Sequence, residues 1–197
     1  VKIKLTLPDI ITISRIFAAI IICIVLFILE KNKGNQSISL LLSWFSGLLF
    51  IIASITDSID GYIARKYNII SDTGKLLDPI ADKVLVLSVL VMLVPLGRVP
   101  AWLAVIFILR EIVITGIRGI AAAEGIIIQA ESMGKLKTVL QSIALATLLI
   151  YYKVNLFGFL LDVKLIGNFT IYLALIASLI SGYSYIYNFM KQREKQR

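Results

Sequence analysis

The chain has 197 residues, 59% of them hydrophobic, and a net charge of +8 with no histidine. That excludes histidine-based acid–base chemistry and histidine metal ligation, and no aromatic-interleaved basic motif points to nucleic acid. At about 20 residues per span, the length accommodates about six transmembrane helices with short loops, in one membrane domain over 1–197.

Residues 1–13 hold Lys2, Lys4 and then Pro8-Asp9. They read as a short interfacial helix entering the first span, because the missing N–H of Pro8 falls among those left unpaired at a helix start. No small-residue cleavage site follows, so the segment does not read as a signal peptide. The first span covers 16–29 and holds the single cysteine, Cys23, as a small packing or lipid-facing residue. A polar turn at 30–36 leads to the second span, 38–56, whose helix continues through Asp57 to Lys66. After a short connection at 67–73, the third span runs over 74–94 and the fourth over 101–122. A polar stretch fills 124–137, the fifth span covers 139–152, 153–164 is a loop, and the sixth span is 165–188. The tail, 191–197, is strongly basic. The expected fold is an all-α integral membrane protein of six transmembrane helices plus the N-terminal interfacial helix.

Charge orients such a bundle. Six spans put both termini and the loops around Arg65 and Lys135 on one side. That side collects twelve of the 20 lysines and arginines, against five in the opposite loops. The positive-inside rule then places both termini in the cytoplasm. The polar clusters around Asp57–Asp82 and Arg110–Lys137 fall toward the same face.

The first of these clusters dominates the chain. From Asp57 to Asp82 it reads D-S-I-D-G-Y-I-A-R-K-Y-N-I-I-S-D-T-G-K-L-L-D-P-I-A-D. Asp57 and Asp60 are spaced i, i+3, and Asp78 and Asp82 i, i+4, so each pair falls on one helix face. A carboxylate at the edge of an apolar span costs a few kcal/mol or more, so it needs a partner or a purpose. Four of them repel one another when ionised, and a divalent cation relieves that repulsion. All-oxygen donors suit Mg²⁺ or Mn²⁺. Gly61, Ala64 and Gly74 are small and leave room for a ligand or for close helix packing.

The pattern D-x-x-D-G-x-x-A-R-x8-G-x-x-x-D-x-x-x-D resembles the signature of the CDP-alcohol phosphotransferases. All eight fixed positions are met: Asp57, Asp60, Gly61, Ala64, Arg65, Gly74, Asp78 and Asp82. The resemblance implies metal ligation by Asp57, Asp60, Asp78 and Asp82, with two ions in the site. It also implies CDP binding along Asp60, Gly61, Ala64, Arg65, Gly74 and Asp78, where Arg65 holds phosphate or braces an Asp. Asp82 is implied as the general base that takes the acceptor hydroxyl proton, and a homodimer is the common assembly of the family.

The second cluster bears on the acceptor. Arg110, Glu111, Thr115 and Arg118 lie in the far half of the fourth span, followed by Lys135 and Lys137. Arginine holds phosphate with a bidentate fork and lysine adds a point charge, so a phosphorylated alcohol is the expected ligand. Glu111 is expected to brace one of the cations. The strings R-E-x-x-x-T-G-x-R (110–118) and G-K-x-K-T (134–138) are similar to a bacterial branch of the family, the phosphatidylglycerophosphate synthases. Thr12 and Arg15 fit that branch's opening, from which Asp9 departs where Asn is usual; Arg15 also reads as a cation snorkelling to the interface.

That likeness implies CDP-diacylglycerol as donor, sn-glycerol 3-phosphate as acceptor through Arg110, Arg118, Lys135 and Lys137, and a place among the lipids of a bacterial cytoplasmic membrane. Inositol phosphate is the rival acceptor, because it uses similar cations. From another class, four membrane carboxylates can line a divalent-cation transport path.

Overall fold

In lipid every backbone N–H and C=O must find its partner within the chain, so long apolar runs become helices. The computed structural model describes residues 7–67, 72–126, 132–156 and 158–196; side chains at 7–11, 57–67, 72–79, 82, 132, 156, 159, 195 and 196 lie outside the described residues. Among the described residues six helices follow in order: α1 (Leu7–Lys31), α2 (Gln36–Tyr67), α3 (Asp72–Leu93), α4 (Ala101–Ala123), α5 (Ser132–Ile150) and α6 (Val163–Gln196). Among the described residues four segments are long and apolar enough to cross a membrane: Thr12–Lys31, Gln36–Thr56, Met133–Ile150 and Val163–Glu194. A shorter apolar stretch, Lys83–Leu93, lies in α3. The protein is a helical membrane protein.

Three expectations are revised. The interfacial helix expected over 1–13 is not separate from Leu7 onward, because α1 runs unbroken into the first span. Pro8 sits in its first turn, where no intrahelical bond is lost. The loop expected at 153–164 contains a β-hairpin, β1 (Val154–Leu156) paired antiparallel with β2 (Phe159–Leu161). Gly158 supplies φ +88 at its turn, and its N–H donates to Asn155 Oδ1 at 3.1 Å. Finally, α5 begins at Ser132, so Gly134–Thr138 is helical rather than part of a polar connection.

Helix starts are capped where the sequence offers a short polar side chain. Asn35 accepts the Ile38 N–H at 3.2 Å ahead of α2, and Asp162 accepts the Leu165 N–H at 3.1 Å ahead of α6. Each such cap stabilises its helix by about 1 kcal/mol.

Short turns at 32–35 and 94–100 and the hairpin at 154–161 lie together at one end of the bundle. The tightest core lies toward the end away from Asp57–Asp82. There Leu26 and Leu29 of α1 meet Leu90 and Leu93 of α3, Leu103 of α4, and Leu148 and Leu149 of α5, all essentially inaccessible. Close approach is built in: a Cβ at Gly167 would stand 2.8 Å from Leu148 Cγ, so α6 packs on α5 only with glycine there.

Arg98 locks this end. It is buried in the α3–α4 turn, where it donates to Leu148 O (3.0 Å), Leu149 O (2.5 Å) and Ser43 Oγ (2.7 Å). The two carbonyls belong to the last turn of α5, which has no intrahelical donors for them. One guanidinium fork therefore caps α5 and ties it to α2. Lys33 Nζ donates to Pro95 O at 2.5 Å and joins two turns at the same end.

Candidate active site

The opposite end carries the polar clusters. The helical span of α2 includes Asp57, Asp60, Gly61, Ala64 and Arg65, and that of α3 includes Gly74, Asp78 and Asp82. All eight signature side chains lie outside the described residues, so their convergence is not part of this geometry. The donor chemistry fits a hard divalent ion, since a chain with no histidine and one cysteine offers oxygen ligands. Among the described residues, no group of three or more His, Cys, Asp or Glu forms a further metal centre.

The second cluster is described in detail. Glu111 Oε1 accepts from Arg110 Nη1 at 2.8 Å and is in direct contact with Lys137 Nζ. The three side chains are 11%, 15% and 10% exposed for Arg110, Glu111 and Lys137. Arg110 also donates through Nε to Ser178 O (3.1 Å) and through Nη2 to Ser181 Oγ (3.1 Å). One carboxylate thus joins α4 to α5, while the guanidinium beside it joins α4 to α6. The brace expected at Glu111 is present, and Lys137 is its second cation. Because 132–150 is helical, Lys135 and Lys137, two residues apart, take nearly opposite faces, Lys137 inward and Lys135 outward.

Arg118 and Lys135 are exposed, unlike Arg110 and Lys137. The Arg118 guanidinium carbon lies 5.5 Å from the Tyr185 ring centroid, within cation–π range. Thr12 and Arg15 are both buried near the start of α1, each 3% exposed; the side chain of Asp9 lies outside the described residues.

Lys83 was not singled out by the sequence as part of either cluster. It follows Asp82 on α3, and its Nζ donates to Thr115 Oγ1 at 2.6 Å; that hydroxyl donates to Glu111 O at 2.6 Å. The contact links the helix bearing Asp82 to the helix bearing Arg110 and Arg118. A lysine directly after a motif aspartate, inside an apolar helix, was the available signal. Ser178, Ser181 and Tyr185 on α6 gave none, since i, i+3 serines in a span also suit simple helix packing.

This is a polytopic helical protein with a carboxylate-rich signature on two helices and a cationic cluster toward the same end. The chain belongs to the CDP-alcohol phosphatidyltransferase family, whose model matches residues 5–180. It is 36% identical over 186 residues to the CDP-diacylglycerol–glycerol-3-phosphate 3-phosphatidyltransferase of Bacillus subtilis (strain 168), covering 91% of this chain and 92% of that one. The protein of the same description from Rickettsia bellii is 37% identical over 184 residues, covering 93% and 95%. That from Mycoplasma pneumoniae is 40% identical over 148 residues, covering 71% and 65%.

Proposed function

We propose that this protein transfers the phosphatidyl group of CDP-diacylglycerol to sn-glycerol 3-phosphate, giving phosphatidylglycerophosphate and CMP. The observation that carries this is the likeness, over nine tenths of the chain, to relatives described by that activity. Inositol phosphate as acceptor and cation transport are not favoured by these relatives.

In this reading the acceptor hydroxyl attacks the phosphorus that bears the diacylglycerol. Its new P–O bond forms as the pyrophosphate P–O bond to CMP breaks, and Asp82 takes the hydroxyl proton. The family generally uses divalent metal ions. Mg²⁺ or Mn²⁺ held by Asp57, Asp60, Asp78 and Asp82 would offset the charge of the pyrophosphate and of the departing CMP. Two ions suit four carboxylates. Asp60, Gly61, Ala64, Arg65, Gly74 and Asp78 form the nucleotide face.

Arg118 and Lys135 are the exposed cations, so they meet the acceptor phosphate first. Arg110 and Lys137 share the Glu111 carboxylate, and they reach the phosphate only by exchanging that partner for it. Six spans in a bacterial cytoplasmic membrane, with both termini and this site on the cytoplasmic side, agree with the charge distribution. A single domain and a homodimer complete the reading, the dimer resting on the family resemblance alone.

The test is CMP release by purified protein given CDP-diacylglycerol, Mg²⁺ and, in separate reactions, glycerol 3-phosphate, inositol phosphate or serine. Release with glycerol 3-phosphate alone, abolished by EDTA, is expected. Release with inositol phosphate instead overturns the acceptor. Folded protein that releases no CMP but passes Mn²⁺ into proteoliposomes restores the transport reading.

A further inference from the structure

Helices α4 and α6 run side by side in the same direction along the cationic cluster. Arg110 of α4 donates through Nε to Ser178 O and through Nη2 to Ser181 Oγ. One turn on, a Cβ at Gly182 would stand 3.8 Å from Ile114 Cδ1. Further along, buried Ala121 packs with Phe189, and Glu124 pairs with Arg193 at 2.6 Å. The separation in sequence stays nearly constant, 68 residues at Arg110–Ser178 and 69 at Glu124–Arg193, as it must for parallel helices of equal rise. Arg118 and Tyr185 fall between these fixed points.

Tyr185 is placed by its own helix. It lies four residues after Ser181 and four before Phe189, which are 7% and 5% exposed and both face α4. Spacing of i, i+4 puts its half-buried side chain on the same stripe. The ring centroid stands 5.5 Å from the guanidinium carbon of Arg118. The family match ends at residue 180, so Ser181 and Tyr185 lie beyond it.

The two arginines are held in different ways. Arg110 spends Nε, Nη1 and Nη2 on Ser178, Glu111 and Ser181. A ring face offers Arg118 no oxygen acceptor, so holding the cation there leaves its N–H groups for a phosphate. An exposed arginine carries a large rotamer entropy that ligand binding must overcome, and the ring removes part of it beforehand.

We propose that Tyr185 is a positioning residue for the acceptor: its ring presents Arg118 to the acceptor phosphate, which binds without the guanidinium leaving the ring. The proposal rests on the acceptor site named under the proposed function. A contact of this kind at a partly exposed place is worth a factor of about two to five in affinity.

Steady-state CMP release by the full-length protein in nanodiscs, with each substrate varied in turn, tests it. Tyr185→Leu should raise KM for glycerol 3-phosphate about fivefold, with kcat and KM for CDP-diacylglycerol unchanged. Tyr185→Phe keeps a ring and should keep the wild-type values. Adding Tyr185→Leu to Arg118→Ala should change nothing further, since the ring acts through the arginine. An acceptor KM that is unchanged or falls in Tyr185→Leu overturns the proposal. So does an equal rise in both KM values, a Tyr185→Phe variant as impaired as Tyr185→Leu, or additive effects in the double variant. Tyr185→Met takes the place of a leucine variant that does not fold, with the same expectations. Failure of the underlying reading looks different, because the wild type itself then releases CMP with another acceptor or not at all. If that acceptor is another phosphorylated alcohol, a fivefold rise in its KM in Tyr185→Leu keeps the pairing of ring and arginine. With an acceptor that bears no phosphate, or with no release, the proposal falls together with the proposed function.

Discussion

The carboxylate of Glu111 stands between two cations, and neutralising it should be among the most damaging single changes outside the signature. Its Oε1 accepts from Arg110 Nη1 at 2.8 Å and from Lys137 Nζ. Each charge-assisted hydrogen bond in such a place is worth roughly 1.5–3 kcal/mol. Glu111→Gln keeps the shape but leaves two buried cations without a counter-charge, and breaking a buried pair from one side costs about 3–5 kcal/mol. Lys137→Met leaves Glu111 still paired with Arg110, so its cost is smaller, about 2 kcal/mol. The double variant removes a charge of each sign and should cost about as much as Glu111→Gln alone, a coupling of about 2 kcal/mol. Unfolding of all four proteins in one detergent, followed by circular dichroism, measures the cycle. A coupling below about 0.5 kcal/mol is ordinary additivity, and it would refute the view that one carboxylate holds α4 and α5 together.

Asp82→Asn should lower turnover by about 10²–10⁴ if its carboxylate takes the acceptor proton, with CDP binding retained in a nucleotide titration; normal turnover removes it as base. Arg118→Ala should raise KM for glycerol 3-phosphate by about tenfold or more while that for CDP-diacylglycerol changes little, and equal changes in both would remove Arg118 from the acceptor site. At the other end of the bundle, Arg98→Leu leaves the last carbonyls of α5 and the Ser43 hydroxyl without their donor. It should destabilise by about 3 kcal/mol with both KM values unchanged, measured by detergent unfolding and CMP release. A loss of activity in protein as stable as wild type would contradict that reading.

The extent to which all this could be read from sequence follows from the range of each interaction. Helix positions were legible because an apolar run in lipid has few other solutions, and most ends moved by only a few residues. The hairpin at 154–161 was not, since three-residue strands leave too short a pattern, and Gly158 marks a turn of any kind. The start of α5 was misread because Gly134, Lys135 and Lys137 look like a loop when counted by polarity. Packing against α6 and a shared carboxylate on α4 make Lys137 an interior residue.

By itself, then, the sequence determined what is local. Eight residues at fixed spacing marked the signature from Asp57 to Asp82, and apolar length set a helical membrane protein. Only the tertiary structure decided which distant groups meet. Lys137 reaches Glu111 across 26 residues, Lys83 reaches Thr115 across 32, and Arg98 reaches Ser43 across 55. It also separated four cations of similar appearance into the buried pair of Arg110 and Lys137 and the exposed Arg118 and Lys135. The spacing within one helix sets which face a side chain takes, but which neighbour that face meets depends on how the whole bundle packs.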